Sequence, residues 1–260
     1  MAIDVGNTQF VVGLFEAGEG DRVGELLYHW RVSTHPAYTA DELAVQLAQL
    51  LALDGLSLKT VSGVVVASVV PPVQEALRQL TGRRLGVPLV VVGPGTRTGV
   101  NIVVDNPREV GADRIADVVA AFERYGGPTI VVDFGTATNF EVVSGQQEYI
   151  GGLLFPGVEV SLNALTTRAA LLPKVEIASP KGILGKNTVE QLQSGVFYGF
   201  GALVDGVCAK LKAQIGPATV VATGGLAPLL LQAATCIDHH EPWLTLLGLA
   251  SIYKMNLADA

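Results

Sequence analysis

The chain is 260 residues long, 49% hydrophobic and 16% charged, with 30 glycines and a formal net charge of −7. Such a composition describes a globular protein with a sizeable core and many tight turns and excludes a disordered chain, and the length suits one large domain or two medium ones. The negative balance argues against a broad basic face for nucleic acid, and apolar runs such as 63–70 and 88–92 are far shorter than the ~20 residues a membrane-spanning helix needs. Cys208 and Cys236 show neither metal-ligand spacing nor a disulfide framework, and the N-terminus has no basic segment followed by a long apolar stretch. Free thiols and a cytoplasmic protein are expected.

Residues 2–5 and 9–15 read as two strands joined by Gly6-Asn7-Thr8, since alternating apolar residues around a Gly-Asn pair signal a hairpin. Glycine lets a backbone approach an anion, and successive N–H groups of such a tip can converge on a phosphate. Asp4, next to the turn, is placed to hold a hydrated magnesium ion. In isolation the motif reads equally as a surface turn. Residues 26–33 give a third strand, Thr39-Ala40-Asp41-Glu42 a capping box, and Leu43, Leu47, Leu50 and Leu51 the apolar stripe of a helix. Residues 61–70 form a buried strand, Pro71-Pro72 starts a helix running to about Arg84, and 87–92 form another buried strand. Gly93-Pro94-Gly95-Thr96 is a turn rather than a phosphate loop, because no Gly-Lys-Ser or Gly-Lys-Thr follows it.

Asn106-Pro107 with Glu109 reads as a helix N-terminus. A cap there makes a second one at Asp113 less necessary unless Gly111 breaks the helix, which leaves Asp113 either a helix-end or salt-bridge residue or a chemical one. Residues 130–143 then repeat the opening: apolar strand, Asp133, the small turn Phe134-Gly135-Thr136-Ala137-Thr138, and a strand. Residues 148–154 complete a second trio of strands, 157–171 and 188–213 are helical, 217–223 form a buried strand ending in Gly224-Gly225, a short helix follows near 228–234, and 244–255 close the chain. This is an α/β pattern of mixed sheets with crossover helices, and the repeat indicates a duplicated domain. Phe197, Tyr198 and Phe200, interleaved with Gly195, Gly199 and Gly201, suggest close helix packing and, in a dimer, a subunit contact. His239-His240 points to opposite faces of a strand, against a shared metal.

Asp4-Val5-Gly6-Asn7-Thr8, Asn106-Pro107 with Gly111-Ala112-Asp113-Arg114, the segment 133–138, Gly151-Gly152 with Pro156-Gly157, and Ala222-Thr223-Gly224-Gly225 together resemble the type III pantothenate kinases. Trp30 to Thr34, Asn187-Thr188 before Gln193-Ser194-Gly195, and Leu244-Thr245-Leu246 with Gly248-Leu249 extend the resemblance over the whole chain. It implies duplicated actin-like/Hsc70-like (ribonuclease H-like) ATPase domains, 1–115 and 116–260, with ATP in a cleft between them and the last helix packing back on the first. It further implies a homodimer that phosphorylates the 4′-hydroxyl of pantothenate with ATP, Mg2+ and K+ or NH4+, the first step toward coenzyme A. Carried over residue by residue, Asp4, Val5, Gly6, Asn7, Thr8, Gln9, Phe10, Val11 and Thr136 contact ATP, Gly224 and Gly225 approach the nucleotide, and Asp133 binds the monovalent cation. Gly111, Ala112, Asp113, Arg114 and Thr188 hold pantothenate, with Asp113 the proton acceptor. Neither nucleic acid nor membrane is an expected partner. Val104 stands where many members carry Tyr, Asn139 where Thr is usual and Glu141 where Asp is usual. A sugar or phosphate-chain kinase and a nucleotide-sensing regulator are the competing readings.

Overall fold

In the computed structural model, which describes residues 1–17 and 24–257, the chain runs β1 (Ala2–Val5), β2 (Gln9–Phe15), β3 (Leu26–Ser33), α1 (Ala40–Leu53), β4 (Val64–Ser68), α2 (Pro71–Leu80), β5 (Leu89–Val91), β6 (Asn101–Ile102) and α3 (Ala112–Tyr125). It continues with β7 (Thr129–Phe134), β8 (Ala137–Val143), β9 (Glu148–Pro156), α4 (Val158–Arg168), α5 (Thr188–Ile215), β10 (Thr219–Thr223), α6 (Ala227–Leu230), β11 (His239–His240) and α7 (Leu244–Leu257). The residues fall into two units. One comprises Met1–Asn101, Asp105–Ala120 and the segment from Leu244; the other comprises Ile102–Val104 and Ala121–Trp243.

The first unit is built on a sheet ordered β3-β2-β1-β4-β5. Its first three strands form an antiparallel meander, and β4 and β5 join in parallel. The second unit repeats that order as β9-β8-β7-β10-β11, with β6 added beyond β9. There too the meander is antiparallel and β10 and β11 are parallel. A parallel pair needs a crossover, and helices supply it at matching places: α1 and α2 in the first unit, α4, α5 and α6 in the second. The same chain pattern has folded twice, as a duplicated ribonuclease H-like α/β domain.

Local chemistry explains the elements. Thr39 accepts the Glu42 N–H while the Glu42 carboxylate accepts the Thr39 N–H at 2.8 Å, a complete capping box, and Leu43, Leu47 and Leu51 behind it are buried. Val64 to Ala67 are buried without alternation, as expected of a central parallel strand covered on both faces. The covering on one face comes from α7, whose Leu244, Leu246, Leu249 and Ile252 are buried and which packs on β1, β2 and β4.

Three expectations are corrected. Residues 89–91 are half-buried rather than buried, because β5 is the edge of its sheet. The helix read from Asn106 is only a 3₁₀ turn, Pro107–Glu109; Val110 is extended (φ −75°, ψ 123°) and stops it, and α3 begins afresh at Ala112. Of Gly195, Gly199 and Gly201 on α5, only Gly201 marks close packing, since a Cβ there would lie 2.7 Å from Ala233, whereas Gly195 and Gly199 face no atom within 4 Å.

Candidate active site

Each unit presents one glycine turn at the end of its first strand. In the first unit the Gly6 N–H donates to the Gln9 carbonyl at 3.0 Å, closing Gly6-Asn7-Thr8 into a tight tip. Thr34, just past β3, clamps the tip from behind: its hydroxyl donates to the Gly6 carbonyl at 2.8 Å and its N–H to the Thr8 carbonyl at 2.9 Å. Asn7, Thr8 and Gln9 are exposed, whereas Val5 and Phe10 are core residues at 0% and 1% exposure. The last two can therefore offer a ligand only their backbone. Asp4 is half-buried, in register with Val11 on β2 and Ala67 on β4.

In the second unit the Gly135 N–H donates to the Ala137 carbonyl at 3.0 Å, leaving Gly135 and Thr136 exposed. Gly157, just past β9 and so at the same place in the repeat as Thr34, supports this turn: its N–H donates to the Thr136 carbonyl at 3.1 Å. A Cβ on Gly157 would lie 2.3 Å from that oxygen, so no other residue fits without displacing the turn. Asp133, the residue before the last of β7, lies against two glycines. Cβ atoms added to Gly224 and Gly135 would meet its carboxylate at 2.4 Å and 3.3 Å, and Gly224 also has φ +93°, a conformation glycine adopts without strain. Gly225 is exposed one step further on. The structure thus brings Asp133, Gly135 and Gly224 together, with Thr136 at the adjoining tip.

Asp113 occupies the first turn of α3, where its Oδ1 accepts the Arg114 N–H at 2.8 Å. The Gly111 carbonyl accepts the Ile115 N–H at 3.1 Å, making Gly111 the residue at which the helix starts. A Cβ on Gly111 would lie 2.3 Å from Asp113 Oδ1, so the glycine clears the volume the carboxylate uses. Gly111, Ala112, Asp113 and Arg114 are all half-exposed. Thr188 is the exposed first residue of α5, following Asn187, whose side chain accepts the Glu190 N–H at 2.9 Å.

Among the described residues no three His, Cys, Asp or Glu side chains converge as a metal cluster. Asp4 and Asp133 are instead single carboxylates, one beside each exposed turn. Such a donor set fits magnesium, which keeps most of its waters and is shared with substrate phosphates. Sequence reasoning assigned no site role to Thr34 or Gly157; the available signal was their identical place after the third strand of each repeat.

Doubled ribonuclease H-like sheets with a glycine turn at corresponding strand ends define the actin-like ATPase fold. Two solved structures share the fold: a Baf family protein from Campylobacter jejuni (TM-score 0.58, 16% identity, 98% of each chain covered) and the activator of 2-hydroxyisocaproyl-CoA dehydratase from Clostridium difficile with bound ADPNP (TM-score 0.54, 12% identity, 99% of this chain and 94% of that one). Residues 1–210 match the profile of the type III pantothenate kinases. Enzymes of that name from Streptomyces griseus (51% identity, 100% of this chain and 99% of the other) and an Exiguobacterium species (46%, 98% of each) align end to end. The chain belongs to the type III pantothenate kinase family and is a phosphotransferase.

Proposed function

We propose that the protein transfers the γ-phosphoryl group of ATP to the 4′-hydroxyl of pantothenate, forming 4′-phosphopantothenate at the start of coenzyme A synthesis, as a homodimer in the cytoplasm. The observation that carries this reading is the Asp113 carboxylate at the open first turn of α3, in a volume that Gly111 leaves clear. An alcohol with a pKa far above neutrality needs a carboxylate within ~3 Å to take its proton as attack proceeds. Gly111 to Arg114 and Thr188 hold pantothenate, the Arg114 guanidinium matching its carboxylate as a planar donor pair. Phosphoryl transfer otherwise asks mainly for positioning and charge neutralisation. The backbone N–H groups of Asp4 to Val11 and Thr136 serve the phosphates, and Gly224 and Gly225 let the chain approach the nucleotide. Magnesium and a potassium or ammonium ion supply the remaining positive charge, with Asp4 acting on the first through water and Asp133 binding the second. On this reading the segments 1–115 and 116–260 carry the two actin-like ATPase domains, with the last helix packing back on the first.

The test is ATP consumption with pantothenate, with and without potassium, in the parent and in Asp113→Asn. The variant is expected to lose roughly 10²- to 10⁴-fold in kcat, the usual contribution of a positioned base, with its folded state unchanged by circular dichroism. Parental kcat in the variant removes Asp113 as the base, and turnover independent of pantothenate removes pantothenate as the acceptor.

A further inference from the structure

Cys208 and Cys236 are free thiols, and both belong to the second unit. Cys208 stands on the inward side of α5 at 0% exposure, in the core that also holds Val204, Val220 and Leu230. Cys236, half-buried in the segment between α6 and β11, packs against the same core. Asp205 lies three residues before Cys208 on the same side of α5, and its carboxylate accepts the Thr235 and Cys236 N–H groups at 2.8 and 2.9 Å. The stretch of helix that carries one sulfur therefore also grips the backbone that carries the other. The two side chains share a hydrogen bond. It holds the Cys208 thiol below the usual thiol range, with the Lys212 ammonium one turn on adding to the effect against burial, and it pushes Cys236 up because the Cys236 proton is engaged. A buried cysteine by itself is inert, whereas two thiols in contact, one of them reachable from solvent, have the arrangement of a reacting pair. Phosphoryl transfer uses neither sulfur.

We propose that Cys208 and Cys236 are a modification site, at which a low-molecular-weight disulfide converts them to a reversible intramolecular disulfide that staples α5 to the segment before β11. Cys236, the sulfur that solvent reaches, attacks one sulfur of the small disulfide. The S–S bond of the reagent breaks, the departing thiolate takes the proton that Cys236 gives up, and a mixed disulfide is left on Cys236. Cys208, already beside it, gives up its own proton and attacks the Cys236 sulfur, and the second half of the reagent departs with that proton. Two protein thiols are oxidised, one small disulfide is reduced to two thiols, and no other reactant is needed. The two cysteines are 28 residues apart, and the loop their bond closes holds β10, Gly224-Gly225 and α6, so the bond removes freedom from that whole stretch of the unfolded chain.

The test incubates the folded full chain with excess oxidised glutathione, alkylates the remaining thiols and weighs the intact chain by mass spectrometry. The parent is expected to lose both alkylatable thiols and two hydrogens of mass, to retain no glutathione, and to regain both thiols with dithiothreitol. Its thermal midpoint should rise by roughly 5–10 °C on oxidation, the usual effect of closing a loop of this length. Cys208→Ala should stop after the first step and retain one glutathione on Cys236, and Cys236→Ala should remain unmodified, because its remaining sulfur is buried. A parent that retains glutathione, that links through sulfur to a second chain, or that keeps both thiols while the urea-unfolded chain loses them overturns the proposal. The parent's mass decides the matter by itself should either variant fail to fold.

Discussion

Gly111 and Gly224 are held to glycine by carboxylates rather than by turns alone. Replacing Gly111 with Ala puts a methyl group 2.3 Å from the present position of Asp113 Oδ1, so the carboxylate must leave. On the proposed mechanism Gly111→Ala lowers kcat about tenfold or more while leaving the KM for ATP near its parental value, since a misplaced base slows transfer without touching the nucleotide. Gly224→Ala is harsher, because its Cβ would meet the Phe134 backbone at 2.6 Å as well as Asp133 at 2.4 Å, at a φ of +93°. It is expected to cost about 1–3 kcal/mol in urea unfolding and to raise the KM for ATP. The presence of a glycine at each of these places was legible in the sequence, and so was the resemblance the glycines carry. Their reason was not: Gly224 meets Asp133 only through the β7–β10 register, 91 residues away along the chain, and no local pattern encodes that pairing.

At the scale of elements, the capping box at Thr39 and the double proline that opens α2 were readable because each is complete within four residues. The signal at Asn106 misled for a physical reason. Asn-Pro-x-Glu serves a single 3₁₀ turn as well as a helix, with the Asn106 amide donating to the Glu109 carboxylate at 2.6 Å, and the extended Val110 that ends the turn carries no mark of its own. Another clamp was invisible in sequence. Asp205 on α5 accepts the Thr235 and Cys236 N–H groups at 2.8 and 2.9 Å and the Thr235 hydroxyl at 2.8 Å, tying the segment before β11 to the helix. Burial pushes the Asp205 pKa up, but these donors together outweigh it and hold the carboxyl below its ordinary value of 3.8. With the folded value below the unfolded one, its contribution is complete above the unfolded pKa and is lost as pH falls through the folded pKa. Asp205→Asn should therefore be less stable than the parent by about 1 kcal/mol at neutral pH. The gap should narrow below about pH 4, read from urea titrations at stepped pH.

For the molecule as a whole, the chain's last helix belongs with its first strands. The α7 helix follows the second repeat yet packs on β1, β2 and β4, and Gly248 rests so closely on α3 that a Cβ there would lie 1.8 Å from the Ala116 carbonyl. Gly248→Ala is expected to destabilise the first unit by about 2 kcal/mol or more. Denaturant unfolding followed by Trp30, which lies in that unit, would register the loss; an unchanged midpoint would mean the helix can slide at no cost. That the sequence divides at a duplication was visible from the echo of Asp4 at Asp133. That the final helix packs back on the first unit was expected from the family resemblance alone, because an even spread of apolar residues along 244–257 does not say which sheet receives them.

The confinement of the Asp133 carboxylate by Gly224 has one more result. On the proposed function an ion that draws on this carboxylate and a nucleotide that rests on this glycine share a boundary, so whatever factor potassium changes in the affinity for ADP, ADP must change in the affinity for potassium. Calorimetric titrations run in both orders should close that thermodynamic square, and a factor different from unity would make the surrounding potassium concentration a participant in how fully the enzyme is charged with nucleotide.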